Sequence, residues 1–260
     1  MAKPAYMGRG ILAGLTPSGK PAFVYFVEGR SPPSRKRRLE IKKGGVFVNL
    51  NSGTDRDEMK RSGGIPELLL YNAMKADANG LIVAGNGFHT DCDPVWNGKA
   101  LGGVIGGKGM FRRMLEGSTA GEAMAEALRL CGSETDLLKT ARIACIADAS
   151  KEPCVACMGI VVRPGDEGGD RVAVHETRMK EKGVFTMFAT YGVNDPPYEA
   201  GLPPDVSAVS GWTKKIRLEG ETPEELAREA WKMLPEDILV GTAAAVWDGG
   251  FRFAVRNAKE

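Results

Sequence analysis

Several residue types that would mark a specialised class of protein are scarce in this sequence. Of its 260 residues only 2 are histidine and 5 are cysteine, and aromatic residues make up 7%. An odd number of cysteines spread over so long a chain does not form a disulfide framework. The sequence therefore predicts a protein of a reducing, cytoplasmic compartment rather than a small disulfide-stabilised secreted domain.

Long apolar runs and an excess of one charge are also missing. No run of about 18 apolar residues occurs, so we expect no membrane span, and Met1–Gly14 lacks the apolar core of a signal peptide. The chain has 35 Lys+Arg against 33 Asp+Glu, a net charge of +2, which gives no electrostatic reason to expect nucleic acid or a membrane surface as partner. Because no Pro/Ser-rich linker divides the chain, we expect a single domain over residues 1–260.

Glycine is abundant, with 34 copies, and many of these glycines mark turns between apolar runs. The runs Ile11–Leu15 and Ala22–Val27 predict a first hairpin, and Val240–Val246 with Phe251–Val255 predict a last one. Capping patterns predict helices that start after Thr119 and Thr222. The polar segment Asn51–Gly64 is expected to be an exposed loop. Strands, helices, strands, a helix and strands follow one another, so we expect an α+β fold with largely antiparallel sheets.

A basic segment follows the second predicted strand and could bind a phosphate. Arg30 stands beside Ser31, and Arg35 stands beside Ser34. Two guanidinium groups next to hydroxyl groups would suit a phosphate, since guanidinium forks donate paired hydrogen bonds to its oxygens. The alternative from the residues alone is a solvated basic loop.

A second polar segment comes directly after a predicted strand. It places the side chains of Asn86, His89 and Asp91 within six residues, where ligand-binding groups often lie. His89 could equally be a structural hydrogen-bonding residue. The pair Cys154 and Cys157 has no second cysteine pair at a spacing that zinc would need, so we predict buried thiols and no metal site.

Five short motifs, in this order and spacing, carry a resemblance to a known family. They are Tyr6-Met7-Gly8-Arg9-Gly10, Gly29-Arg30-Ser31 with Ser34-Arg35, Tyr71-Asn72, Asn86-Gly87-Phe88-His89-Thr90-Asp91 and Thr140-Ala141-Arg142-Ile143. Together they resemble the archaeal-type IMP cyclohydrolase family. The resemblance implies a four-layer αββα sandwich like that of N-terminal nucleophile hydrolases. It also implies closure of 5-formamidoimidazole-4-carboxamide ribotide to IMP with loss of water, no metal or organic cofactor, and a homo-oligomer.

The resemblance also implies which residues form the site. Substrate-binding residues would be Arg30, Ser31, Arg35, Asn86 and Asp91, and catalytic residues would be Tyr71, Glu134, His89 and Arg142. Tyr71 would donate a proton or orient the substrate, and Glu134, paired with Arg142, would act on the attacking nitrogen. Asn86, His89 and Asp91 would contact the base and ribose or relay protons. Tyr71 could instead be a core residue, and Arg142 a structural ion-pair partner.

Two other functions are compatible with the sequence. An N-terminal nucleophile amidohydrolase needs Cys, Ser or Thr as its first residue, and Met1-Ala2-Lys3 offers none, so we do not expect this activity. A non-catalytic or diverged purine-nucleotide-binding protein would need the arginines but not Tyr71 or Glu134.

Overall fold

The protein consists mainly of two antiparallel β-sheets that stack face to face. The computed structural model describes residues 6–61, 69–91, 109–134, 139–164, 168–191 and 204–258. Within these ranges thirteen strands form one sheet of six strands and one of seven, and all neighbouring strands in both sheets run antiparallel. No helix in the same ranges is long and apolar enough to cross a membrane.

The first sheet joins the two ends of the chain. Its strands, numbered in chain order, are β1 (Arg9–Leu15), β2 (Pro21–Glu28), β10 (Val184–Ala189), β11 (Lys214–Arg217), β12 (Leu239–Trp247) and β13 (Phe251–Asn257). The strand order is β11-β10-β1-β2-β12-β13, so the apolar strand β2 is central, as its composition predicts. The short strand β11, with three basic residues among its four, was not predicted from the sequence.

The second sheet is a meander in which each strand pairs with the next one along the chain. Its strands are β3 (Arg37–Lys42), β4 (Gly45–Leu50), β5 (Tyr71–Ala76), β6 (Leu81–Gly85), β7 (Arg142–Asp148), β8 (Val155–Val162) and β9 (Arg171–Arg178). Cys157 lies in β8 and Cys154 just before it, both buried, in agreement with the prediction of buried thiols. The same ranges contain no group of three His, Cys, Asp or Glu residues that could hold a metal ion.

Helices pack on the outer face of each sheet. The α-helices in the described ranges are α1 (Pro32–Arg35), α2 (Arg56–Arg61), α3 (Met110–Leu115), α4 (Ala120–Cys131) and α5 (Pro223–Lys232). The largest apolar cluster lies between the sheets, α5 packs on the far side of the first sheet, and α3 and α4 pack on the far side of the second. Helix α5 starts at Thr222, whose hydroxyl accepts from the Glu225 N–H. The described layers therefore follow the order helix, sheet, sheet, helix.

Two sequence-based expectations are wrong in detail. Helix α2 occupies part of the segment predicted as an exposed loop, because Met59 is buried against Phe47 and Leu70 on one side of that helix. The basic segment from Arg30 to Arg38 is not one loop either. It contains α1 and the first residues of β3, in which Arg37 and Leu39 are buried.

Candidate active site

A cluster of phenol, guanidinium and carboxylate groups lies at one end of the sandwich. Arg9 is the first residue of β1 and shares the inward face of that strand with Ile11 and Ala13. Its guanidinium Nη2 lies 2.5 Å from the Glu134 carboxylate, and both residues are buried. Burial alone would lower the pKa of Arg9, but Glu134 and three nearby phenols outweigh it and hold that pKa well above its usual value. Arg9 therefore stays charged and holds Glu134 in place.

Tyr71 contacts the opposite sheet through its hydroxyl group. Tyr71 starts β5, and its hydroxyl oxygen lies 2.7 Å from that of Tyr25 in β2. Both side chains are completely buried in the cluster between the sheets. Both phenols are close enough to Arg9 to affect its pKa, so Arg9 links Tyr71 to Glu134 electrostatically. Tyr71 and Glu134, which are 63 positions apart in the sequence, thus both lie near Arg9.

Arg142 is a second arginine at the Glu134 carboxylate, and it approaches the same oxygen atom as Arg9. Its Nη1 is 3.8 Å from the Glu134 carboxylate, its Nε donates to the Gly132 carbonyl, and its guanidinium lies over the Phe88 ring. The Nη1 atom is buried and has no hydrogen-bond partner. Two buried guanidinium groups thus face one carboxylate.

Asn86 and His89 hold the backbone on both sides of Arg142. The Asn86 side chain donates to the Ala141 carbonyl and accepts from the Ile143 N–H, at 2.9 and 2.8 Å. His89 Nε2 donates to the Ile143 carbonyl at 3.0 Å, which leaves Nδ1 as a buried acceptor without a partner. Burial and the Arg142 charge lower the pKa of His89 to about 3. The imidazole is therefore neutral near pH 7, and both side chains position Arg142.

Arg30 lies against two tyrosine rings near this cluster. Its guanidinium carbon is 5.4 Å from the centre of the Tyr6 ring and 5.9 Å from that of Tyr191. The Tyr191 hydroxyl lies 2.8 Å from that of Thr140, two residues before Arg142. Burial raises the pKa of Tyr6 to about 12, although both Arg9 and Arg30 act to lower it. Tyr6 therefore lies between the Arg9 cluster and Arg30.

Three predicted binding residues lie apart from this arrangement. The exposed Arg35 donates to the Gly29 and Arg30 carbonyls and lines a separate cavity of about 620 Å³. Ser31 is exposed and caps α1. Asp91 lies 3.7 Å from Lys75, on the outer face of the second sheet. The structure does not bring these three side chains to Tyr71 and Glu134.

The sequence-based assignment of site residues left out Arg9, Tyr25 and Arg37. Arg37 is buried and lies close enough to Tyr71 and Arg9 for both to affect its pKa. The available signal was the alternation of the strands. Arg9 shares parity with the inward residues of β1, Tyr25 with Phe23 and Val27, and Arg37 with Leu39. An arginine or tyrosine at an inward position of an apolar strand must find polar partners inside the protein.

A buried carboxylate between two guanidinium groups, near a buried phenol, can accept and donate protons next to an anionic substrate. Comparison with the curated proteins found no match. The family model for IMP cyclohydrolase-like protein matches residues 6–100 and 109–250, which include Arg9, Tyr71 and Glu134. This match covers most of the sequence, so the chain belongs to the IMP cyclohydrolase-like protein family.

Proposed function

We propose that the protein is an IMP cyclohydrolase. It closes 5-formamidoimidazole-4-carboxamide ribotide to IMP and releases water, which is the last step of de novo purine synthesis. The observation that carries the proposal is the Arg9 guanidinium, which links the Glu134 carboxylate to the Tyr71 phenol in a buried cluster. Family membership supports a reaction of this class.

Ring closure takes place in two steps, and the side chains of Glu134 and Tyr71 can carry out the proton transfers in both. In the first, the carboxamide nitrogen forms a bond to the formyl carbon. Glu134 takes one proton from that nitrogen, and Tyr71 gives its proton to the formyl oxygen, which becomes a hydroxyl group. In the second, the C–O bond breaks and protonated Glu134 returns its proton to the hydroxyl group, which leaves as water. The formamido N–H gives its proton to the Tyr71 phenolate as the C=N bond forms, so both side chains regain their starting state.

The remaining residues bind and orient the substrate. Arg30 makes no hydrogen bond or ion pair through its guanidinium in the described parts of the chain, and it lies next to Tyr6, which faces the Arg9 cluster. We assign the 5′-phosphate to Arg30, because a charged donor without a partner suits a phosphate dianion. Arg142 stabilises negative charge near Glu134, while Asn86 and His89 hold Arg142 in place.

The same proposal includes the features that the family resemblance implies. The two stacked sheets with outer helices would be a sandwich of the N-terminal nucleophile hydrolase type, formed by a single domain over residues 1–260. The enzyme would act in the cytoplasm as a homo-oligomer, without metal or organic cofactor. Ser31, Arg35 and Asp91 would contact the substrate only through rearrangement, since they lie away from the cluster.

The test is turnover of the formamido ribotide by the purified protein, followed as growth of hypoxanthine ultraviolet absorbance above the spontaneous rate. We expect Glu134→Gln and Tyr71→Phe each to lower kcat by about 100-fold or more, because each removes one proton-transfer group. KM should change little, since neither group holds the phosphate.

A matched control is Glu58→Gln, whose half-exposed carboxylate contacts Lys36 on the surface. This variant should turn over at the wild-type rate. Binding of IMP without any turnover of the precursor would select a non-catalytic nucleotide-binding protein. Unchanged kcat in both Glu134→Gln and Tyr71→Phe would place the reaction elsewhere in the protein.

A further inference from the structure

The Tyr25–Tyr71 contact is the one hydrogen bond that either hydroxyl group makes within the described residues. At 2.7 Å it joins the central strand of the first sheet to the second sheet, in an apolar cluster that excludes solvent. Two phenols that share one hydrogen bond use only one of their two protons in it. The other proton is left for a ligand.

Positive charge surrounds this phenol pair. Arg9 lies nearby on β1 and Arg37 on β3, and both guanidinium groups are buried. Arg37 donates to the Ser34 and Leu69 carbonyls and has no carboxylate partner in the described ranges. Burial lowers the pKa of Arg37, and the charge of Arg9 lowers it further, but the guanidinium group of an arginine stays protonated inside a protein. A buried cation without a counter-ion stabilises negative charge that forms beside it.

The surroundings of Tyr25 favour its protonated form. Tyr25 lies within β2 and Tyr71 is the first residue of β5, and both side chains are fully buried. Burial, followed by the neighbouring Tyr71, raises the pKa of Tyr25 well above its usual value, although Arg9 and Arg37 oppose this. Either hydroxyl group can donate across this contact, and Tyr25, which keeps its proton, is the donor when the Tyr71 oxygen carries negative charge.

We propose that Tyr25 and Arg37 are positioning residues that prepare Tyr71 to donate its proton during ring closure. Tyr25 donates its hydrogen bond to the Tyr71 oxygen, so the proton of Tyr71 is directed to the substrate. When Tyr71 gives that proton to the formyl oxygen, the phenolate that remains is held by the Tyr25 hydroxyl group and by the fixed charge of Arg37. This inference rests on the proposed cyclohydrolase function.

Three further groups lie near the phenol pair or near its two arginines and affect the charge around it. Arg9 on β1 acts in the same direction as Arg37, and Tyr6 lies close enough to affect both arginines. Glu134 is paired with Arg9, which reduces the charge that Arg9 offers to the phenols. Arg37 has no such partner in the described ranges, so we assign the larger effect to it.

The first test is the pH dependence of kcat in the Tyr25→Phe variant. Loss of the hydrogen bond to the phenolate should lower kcat about tenfold and leave KM within about twofold. The alkaline limb of the profile should move to higher pH, because the phenolate that forms on Tyr71 loses a hydrogen-bond donor. The double variant Tyr25→Phe/Tyr71→Phe should be no slower than Tyr71→Phe alone, because Tyr25 acts only through Tyr71.

Phe23→Leu is the matched packing control, since Phe23 shares the inward face of β2 with Tyr25. It should lower stability without moving the alkaline limb. Arg37→Met should move the limb in the same direction as Tyr25→Phe, and Arg37→Lys, which restores a charge, should reverse most of that shift. If Arg37→Met does not fold, the pH profile of Tyr25→Phe by itself tests the proposal.

An alkaline limb that stays in place in Tyr25→Phe, or additive losses in the double variant, would overturn the proposal. A measurement without substrate separates this failure from failure of the proposed function. In protein labelled with carbon-13 at the tyrosine ring, the Tyr71 signal should titrate at higher pH in Tyr25→Phe than in the wild type. Equal titration would refute the role of Tyr25 even in an active enzyme, and a shift in an inactive protein would refute only the cyclohydrolase assignment.

Discussion

A buried carboxyl group beside the active-site cluster makes the stability of this protein depend on pH. Glu28 ends β2, is 1% exposed, and accepts hydrogen bonds from the N–H groups of Met7 and Gly8 through one oxygen. Its other oxygen has no partner. Burial raises the pKa of Glu28 from 4.5 to about 8, and Asp237 adds to this, although the two N–H groups act to lower it.

The direction of the effect follows from proton binding. Between pH 4.5 and about 8 the folded protein keeps a proton on Glu28 that the unfolded chain has lost. The free energy of unfolding therefore falls as the pH rises through this window and becomes level above it. At 1.36 kcal/mol per pH unit the full window would amount to at most about 5 kcal/mol, and we expect a few kcal/mol after local relaxation.

Glu28→Gln removes this dependence and keeps the contacts. The amide oxygen of glutamine can still accept from Met7 and Gly8, and the amide is neutral at every pH. Urea unfolding should give similar stabilities for the two proteins near pH 5 and a more stable variant, by a few kcal/mol, at about pH 8.5.

Glu40→Gln is the control with the opposite sign. Partial burial would raise the pKa of Glu40, but hydrogen bonds from Asn49 and Arg38 outweigh it and lower that pKa. The contribution of Glu40 to the free energy of unfolding is therefore present above its pKa in the unfolded chain and is lost as the pH falls. If the difference between Glu28→Gln and the wild type stayed constant from about pH 5 to about pH 8.5, the account of Glu28 as a buried, protonated group would be wrong.

Three further predictions concern the active site. Arg30→Ala should raise KM for the formamido ribotide by about 10- to 100-fold, because a charged donor to the phosphate is lost. Arg35 lines the separate cavity, so Arg35→Ala should change KM far less. Equal effects of the two variants on KM in steady-state kinetics would contradict the assignment of the phosphate to Arg30. Gly87→Ala should lower kcat, since a methyl group there would overlap the Arg142 guanidinium, and a wild-type kcat would show that Arg142 can move freely. The pH profile of kcat should show no limb near pH 6.5 from His89, because the pKa of this residue is about 3. A limb near pH 6.5 that disappears in His89→Gln would show that the imidazole titrates during the reaction.

Local sequence patterns were sufficient for most of the strands and helices. The strands β12 and β13 form the predicted last hairpin, and α5 begins at the predicted cap. These features depend on residues close in sequence, since turn glycines and caps act within a few positions. The helix α2 was missed because the burial of Met59 against Phe47 and Leu70 comes from residues distant in sequence.

The amino-acid sequence by itself determined which residues face inward along each strand, since alternation needs only the chain. Only the stacking of the two sheets decided which inward residues meet. Tyr25 and Tyr71 come into contact across the sandwich although 46 positions separate them, and Arg9 reaches Glu134 over 125 positions. The tertiary structure also places the Arg35 side chain at a separate cavity, whereas the Arg30 guanidinium lies against Tyr6 and Tyr191. Contacts of this kind depend on how sheets pack, and no local pattern encodes that packing.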